Sequence, residues 1–154
     1  MNSLLSGTDW VPLAAAVAGL LLILLFVVRR RRKKLGVPQR LKRSSIDMLS
    51  GFVVPDGDDG FIHIEYALLT PEGVLVVDIK DVLGNVFGSD PMQDWTVISD
   101  QRRFTFSNPQ FALFDRLAAI KRLSGTVPVR GVVAFTDRAQ FSKGKPSNVI
   151  LLDE

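Results

Sequence analysis

An uncharged run of 18 residues near the N-terminus, Val11–Val28, restricts the fold of this chain more than any other feature. As a helix the run would be about 27 Å long, close to the thickness of the hydrocarbon core of a bilayer. Trp10 stands at its outer end, and aromatic side chains are enriched at membrane interfaces. Helices buried in soluble proteins are seldom apolar on all sides over about five turns. The sequence therefore predicts an extracytoplasmic tail over residues 1–10 and a transmembrane helix over residues 11–28.

The charges around this run predict its orientation. Arg29–Lys34 is an uninterrupted basic stretch, whereas the residues before the run include no lysine or arginine. Positive residues are retained on the cytoplasmic side of membranes. We therefore expect a single-pass protein of the cell membrane, with its N-terminus outside and its C-terminal part in the cytoplasm. The basic stretch would also attract anionic lipid headgroups, so the lipid bilayer is the first predicted partner.

The charge of the remaining chain has the opposite sign. Residues 29–43 hold nine of the 19 lysines and arginines and no acid. Residues 44–154 hold ten basic and fifteen acidic residues, a formal net charge of −5. We interpret residues 29–50 as a basic juxtamembrane linker and residues 51–154 as one domain, because a chain of this length has room for one modest core. The absence of cysteine agrees with a reducing compartment.

Short apolar runs separated by turn residues predict a series of strands in this domain. These strands are Phe52–Val54, Phe61–Leu69, Val74–Lys80, Asp94–Ile98, Arg103–Phe106, Val129–Phe135 and Asn148–Leu152. Residues 82–92 contain several glycine and proline breaks and are expected to form a loop. The strands are interrupted by one predicted helix. This order predicts an α/β (α+β layered) fold, with a mixed sheet and flanking helices.

The predicted helix has clear start and stop signals. Asn108 can cap it, Pro109 suits its first turn and Gly125 suits its end. Its apolar stripe is expected to consist of Leu113, Phe114, Leu117 and Ile120. Arg116 and Arg122 are expected to face away from the core. The stripe indicates packing and not a site.

The hairpin around Thr70–Gly73 carries the charges that suggest a function. Side chains alternate along a strand, so Glu65 is expected to share a face with His63, and Asp78 with Lys80. A loop of two or four residues over this turn would pair residues whose numbers sum to 143. Glu65 would then face Asp78, and His63 would face Lys80. A three-residue loop would instead send the two acids to opposite faces.

Such a patch admits two chemical interpretations. Two opposed carboxylates destabilise a sheet unless a cation lies between them, either Lys80 or a divalent metal such as Mg²⁺. A metal can neutralise a phosphate and lower the pKa of an attacking water, which a neighbouring lysine can orient. Alternatively, the groups form a structural ladder of ion pairs, Glu65 with Lys80 and Asp78 with His63.

Further features extend this pattern along the chain. In order they are Glu65, Asp78-Ile79-Lys80, the segment Gly84–Gly88, Trp95 and Asn108-Pro109. Over roughly residues 50–150, this order resembles the nuclease-related domain (NERD) family of the restriction-endonuclease-like PD-(D/E)xK group. The resemblance implies a restriction-endonuclease-like mixed sheet, with Glu65 and Asp78 as metal ligands and Lys80 as the catalytic lysine. It also implies a Mg²⁺-dependent phosphodiesterase that acts on nucleic acid.

The sequence departs from the family pattern in several places. Family members usually begin with a helix whose glutamate completes the metal site, and here Asp47 is the only acid in that region. The later helix often carries a glutamine where this chain has Ala112, although Gln110 is nearby. An acidic domain also lacks the positive field that collects nucleic acid. The alternative function is therefore an inactive module that binds nucleic acid or protein at the cytoplasmic membrane face.

Overall fold

The computed structural model describes residues 36–100 and 102–152. In chain order its elements are α1 Val37–Arg43, β1 Asp47–Pro55, β2 Phe61–Thr70, β3 Gly73–Lys80, β4 Gly84–Phe87, β5 Asp94–Ser99, β6 Arg102–Ser107, α2 Pro109–Ser124, β7 Val129–Phe135, β8 Ala139–Gln140 and β9 Val149–Leu151. The predicted tail, the predicted transmembrane helix and the basic stretch Arg29–Lys34 lie outside the described residues. Among the helices that are described, none is long and apolar enough to cross a membrane.

The strands form two mixed sheets. The larger sheet has the order β1-β2-β3-β7-β9, with β1, β2 and β3 antiparallel to one another in turn and β3, β7 and β9 parallel. The smaller sheet has the order β6-β5-β4-β8, with β4 and β8 parallel. The predicted α/β class with a mixed sheet is thus confirmed. The predicted loop over residues 82–92 is wrong at β4, a four-residue strand too short to show a pattern of its own.

The larger sheet has an apolar core on each face. The larger core combines residues of both sheets and α2, and its fully buried members include Trp95, Phe135, Ile64 and Leu113. The smaller core lies on the opposite face, because Val77 and Ala134 belong to it while their neighbours Val76 and Val133 belong to the larger one. Leu41 of α1 packs against this smaller core. A short helix therefore covers part of the second face.

The predicted helix forms as α2 and begins at the predicted cap. The side chain of Asn108 accepts a hydrogen bond from the Gln110 N–H at 2.9 Å. Leu113 and Ile120 are buried as expected, whereas Phe114 is 46% exposed, so its place in the predicted stripe is wrong. Consecutive residues lie about 100° apart around a helix, so Leu113 and Phe114 cannot both point straight at the sheet. In the folded domain the side of α2 that carries Leu113 packs on the sheet.

The β1–β2 hairpin is longer than predicted. β1 spans Asp47–Pro55 and not only Phe52–Val54, because its more polar first half also pairs with the end of β2. The turn that follows is held by Asp56, whose carboxylate accepts hydrogen bonds from the N–H groups of Asp58 at 2.9 Å and Gly60 at 3.1 Å. Backbone pairing overrides local polarity in β1, as is usual at the edge of a sheet.

Candidate functional site

The predicted register of the β2–β3 hairpin is confirmed from the turn as far as Tyr66 and Val77, but the backbone pairing ends before the predicted pair of Glu65 with Asp78. Thr70 pairs with Gly73 at the turn, and Tyr66 pairs with Val77 at the far end of the ladder. The paired numbers sum to 143, as a two-residue loop requires. The hydroxyl of Thr70 donates to the carbonyl of Gly73 at 2.9 Å, which closes the turn.

The ladder stops where the charged residues begin. Both strands continue past the last backbone pair of the ladder, Tyr66 with Val77. Beyond this pair the Glu65 carboxylate accepts a hydrogen bond from the Ile79 N–H at 2.8 Å, in place of a backbone carbonyl of β2. Glu65 therefore bridges two separating strands instead of standing in a regular pair with Asp78.

The separation coincides with a break in the alternation of side chains. Gly51 falls opposite Glu65 in the β1–β2 register and has a φ of +63°, a left-handed conformation that favours glycine. Ile64 and Ala67 pack into the same core although they are three residues apart, which a regular strand does not allow. The predicted shared face of His63 and Glu65 assumed regular alternation, and that assumption fails at this point.

Asp78 is the buried acid of the site. Its side chain is 4% exposed, and its Oδ2 accepts a hydrogen bond from Arg116 Nη1 on α2 at 2.8 Å. The same guanidinium donates through Nε to the backbone carbonyl of His63 at 2.8 Å. Arg116 thus connects α2 with β2 and β3. The prediction that it faces away from the core is wrong, because a buried carboxylate attracts a nearby cation strongly where water is scarce.

Burial dominates the ionisation of Asp78. Desolvation by burial raises the pKa of its carboxyl above the usual range, although the neighbouring charges of Arg116 and then Lys80 lower it. The negative charge of Glu65 raises the pKa of Asp78 further, and His63 lowers it. All the residues that the sequence predicted for the site therefore lie within electrostatic reach of Asp78, and Arg116 is the one that was missed.

One oxygen of Asp78 is left open. Its Oδ1 is buried and has no hydrogen-bond partner among the described residues. Divalent cations prefer carboxylate oxygens, so Asp78 Oδ1 and the Glu65 carboxylate are the groups that could hold Mg²⁺ here. No set of three or more histidine, cysteine, aspartate or glutamate side chains is arranged for a metal within residues 36–100 and 102–152. A cation at this place would need water or phosphate oxygens as its remaining ligands.

Lys80 ends β3 beside these carboxylates. Its carbonyl accepts a hydrogen bond from the Thr136 N–H at the end of β7, at 3.0 Å. The next residue, Asp81, accepts hydrogen bonds from the Thr136 hydroxyl at 2.7 Å and from Arg138 at 2.9 Å. These bonds hold the backbone of Lys80, while its ammonium makes no hydrogen bond or salt bridge with a described residue. The ammonium is therefore available to a phosphate or a water.

Gln110 belongs to a different polar cluster, at the start of α2. It is 1% exposed, and its Nε2 donates to Asp90 Oδ1 at 2.8 Å and to the Ser147 carbonyl. The amide of Asn108 donates to the Met92 carbonyl at 2.9 Å. The hydrogen bonds from Gln110 and Ser147 lower the pKa of Asp90. Gln110 therefore connects the loops that contain Asp90 and Ser147 to the start of α2 by hydrogen bonds. It makes no hydrogen bond to the Asp78 carboxylate.

Two other features of the resemblance are explained by packing. Trp95 is fully buried, and its ring stacks on Phe135 with the centroids 6.3 Å apart. A Cβ atom on Gly88 would lie 2.3 Å from that ring, so only glycine fits there. The tryptophan and this glycine thus shape the larger core instead of forming part of the site.

Comparison with known proteins bears on the whole of this region. Residues 31–136 match the family model of the nuclease-related domain (NERD). The match runs from before α1 through the hairpin and α2 to just past the end of β7, and so includes Glu65, Asp78, Lys80 and Arg116. No curated protein and no solved structure gives a significant match.

Proposed function

Because this chain belongs to the nuclease-related domain family, we propose that it is a membrane-anchored, divalent-metal-dependent phosphodiesterase acting on nucleic acid. The observation that carries the proposal is the buried Oδ1 of Asp78, which lacks a partner among the described residues and lies close to Glu65 and Lys80. A buried carboxylate oxygen without a partner is costly, and a bound cation would remove that cost.

The alternative ladder of ion pairs receives less support from the same contacts. It requires Glu65 to pair with Lys80 and Asp78 to pair with His63. Instead, Asp78 pairs with Arg116, and Glu65 accepts a backbone N–H. The charged side chains at the end of the hairpin therefore do not form the predicted ion pairs with one another, which favours a role in binding a ligand.

In the proposed site, each residue has a separate task. Asp78 and Glu65 would hold Mg²⁺, and Lys80 would orient the attacking water or bind a phosphate oxygen. The chemistry that Mg²⁺ supplies when bound is neutralisation of phosphate charge and a lower pKa for the attacking water. Hydrolysis forms a bond from the water oxygen to phosphorus and breaks one ester bond, which leaves a phosphate monoester and a hydroxyl. On this assignment, we propose that the chain is a member of the PD-(D/E)xK group.

The membrane part of the proposal rests on the N-terminal sequence. Val11–Val28 is long and apolar enough to span a bilayer, and Arg29–Lys34 would interact with anionic headgroups on the cytoplasmic side. The domain that follows would then act on nucleic acid next to the membrane. Its negative net charge implies that substrate is collected by local contacts and not by a long-range field.

A non-catalytic module that binds nucleic acid or protein is the second candidate, and Arg116 is the observation that favours it. The guanidinium already supplies a positive charge to Asp78, and no third acid joins the pair among the described residues. In that case the fold is retained while the metal is not needed.

A nicking assay on supercoiled plasmid separates these functions. The full chain, purified in mild detergent, is incubated with plasmid and either Mg²⁺, Mn²⁺ or EDTA. We expect nicking only with metal, and a loss of at least about 100-fold in Asp78→Asn and Lys80→Met. Asp115→Asn and Lys121→Met, which alter exposed residues of α2, serve as matched controls and should keep wild-type activity.

Three results would count against the phosphodiesterase. Nicking that persists in EDTA, or that is unchanged in Asp78→Asn, would show that another site or a contaminant is responsible. Plasmid binding without nicking in every metal would instead support the non-catalytic module.

A further inference from the structure

We infer that Arg116 is a built-in counter-ion that competes with the divalent cation for Asp78 and so sets the metal affinity of the site. The inference rests on the proposed function, because it concerns the same carboxylate. It assigns this control to a residue of α2 that lies on neither of the two strands carrying the motif. Arg116 is thus a positioning residue, acting on the metal through Asp78.

The geometry of the guanidinium supports this assignment. Arg116 uses Nη1 for Asp78 Oδ2 and Nε for the His63 carbonyl, each at 2.8 Å. Two donors in a planar group hold it in one orientation. Only Oδ1 of Asp78 then remains open to a cation. A metal that takes both oxygens has to displace Arg116.

Even if the guanidinium of Arg116 and a divalent cation bind the Asp78 carboxylate together, their like charges repel each other. A divalent cation held by Asp78 would share that carboxylate with the guanidinium on Oδ2. The Asp78 side chain is 4% exposed and that of Arg116 23%, so little water separates such charges. Repulsion between like charges is strong where the dielectric constant is low. Each cation therefore weakens the binding of the other.

Within the described part of the chain, no other neighbour of Asp78 replaces Arg116 in this role. Glu65 is an acid bound to the Ile79 N–H, and it repels the charge on Asp78. Lys80 and His63 attract that charge, yet neither makes a hydrogen bond to the carboxylate. Removal of the guanidinium charge leaves the two acids with no hydrogen-bonded cation among the described residues, which is the condition that favours a divalent metal.

Metal binding is the direct measurement. Free Mn²⁺ is titrated by electron paramagnetic resonance against the full chain in mild detergent. Arg116→Gln removes the charge, Arg116→Lys keeps it, and Arg122→Gln removes a guanidinium of the same helix that donates to the Asp56 carbonyl instead. We expect Arg116→Gln to bind Mn²⁺ at least about fivefold more tightly than wild type. The other two variants should stay within about twofold of wild type.

A double variant ties the effect to Asp78. In the Asp78→Asn background, Arg116→Gln should no longer change Mn²⁺ affinity, because the contested carboxylate is gone. Thermal unfolding in a Trp10→Phe background, followed by the fluorescence of buried Trp95, gives a second readout. Mn²⁺ should raise the midpoint of Arg116→Gln by more than that of wild type. If Arg116→Gln folds only when Mn²⁺ is present, the competition is supported; if it stays unfolded with Mn²⁺, the inference is overturned.

The outcomes distinguish this inference from the proposed function. Binding of Mn²⁺ by Arg116→Gln but not by wild type would uphold the inference and refute metal-dependent catalysis by the native chain. Equal or weaker binding by Arg116→Gln than by a metal-binding wild type would overturn the inference and leave the phosphodiesterase standing. Binding by neither protein would refute both.

Discussion

Replacement of Gly51 by alanine should destabilise the domain by about 1 kcal/mol. Gly51 has a φ of +63°, and a left-handed conformation costs an L-residue about 1–2 kcal/mol. A Cβ atom at this position would meet nothing within 4 Å, so no steric clash is added. Alanine also lowers the conformational entropy of the unfolded chain, which offsets this cost in folding free energy by up to about 1 kcal/mol. The net cost is therefore a backbone term alone.

Thermal unfolding of the full chain in mild detergent, observed through Trp95 fluorescence in a Trp10→Phe background, measures this cost. For a domain of this size, 1 kcal/mol lowers the midpoint by about 4 °C. The unfolding midpoint of Gly51→Asn should fall by less, since asparagine tolerates the left-handed region. The midpoint of Ser50→Ala should change little. An unchanged or higher midpoint in Gly51→Ala would refute the left-handed kink at this position. Gly51 falls opposite Glu65, so in the proposed metal site Gly51→Ala should weaken Mn²⁺ binding more than Ser50→Ala does.

Three further predictions concern the frame of the site and the membrane segment. Asn108→Ala should lower the free energy of unfolding, measured by chemical denaturation, by about 2 kcal/mol, because it removes a helix cap and the hydrogen bond to the Met92 carbonyl. A smaller loss of unfolding free energy than in Ser107→Ala would contradict the role of Asn108 as a cap. The lowered pKa of Asp90 means that its stabilising contribution is complete above its usual value of 3.8 and disappears as the pH falls through the folded-state value. The stability difference between wild type and Asp90→Asn should therefore vanish in acid, and a difference that persists or grows there would reverse the sign of this argument. The chain has no cysteine, so Ser3→Cys and Thr126→Cys provide single labels in intact cells. An impermeant maleimide should react with the first only, and labelling of the second only would invert the predicted topology.

The candidate site shows how an acidic domain can still hold positive groups near an acid pair. Residues 44–154 carry a net charge of −5, yet Arg116 and Lys80 both act on Asp78. Neighbouring charges of opposite sign keep the pair of acids from destabilising the sheet. In the proposed metal site, the same balance would make the affinity for a divalent cation sensitive to a single guanidinium.

The local chemistry of the chain was sufficient to predict the hairpin that carries the site. Thr-Pro-Glu-Gly favours a tight turn, and a two-residue loop leaves only one register for the strands on each side. The cap at Asn108 and the strand that contains Asp78 were predictable for the same reason, since their signals lie within a few residues. Interactions over short sequence distances depend little on the rest of the fold.

Three decisive features depended on contacts between distant parts of the chain. Arg116 and Asp78 are 38 residues apart, and the rotation of α2 that brings them together is set by how Leu113 packs on the sheet. β4 is defined only by its neighbours β5 and β8. The kink at Gly51 becomes evident only from the pairing of β1 with β2. Turn residues and periodicity thus determine local pairing, whereas helix rotation, short strands and strand separation are decided by packing, which acts between segments that no local pattern connects.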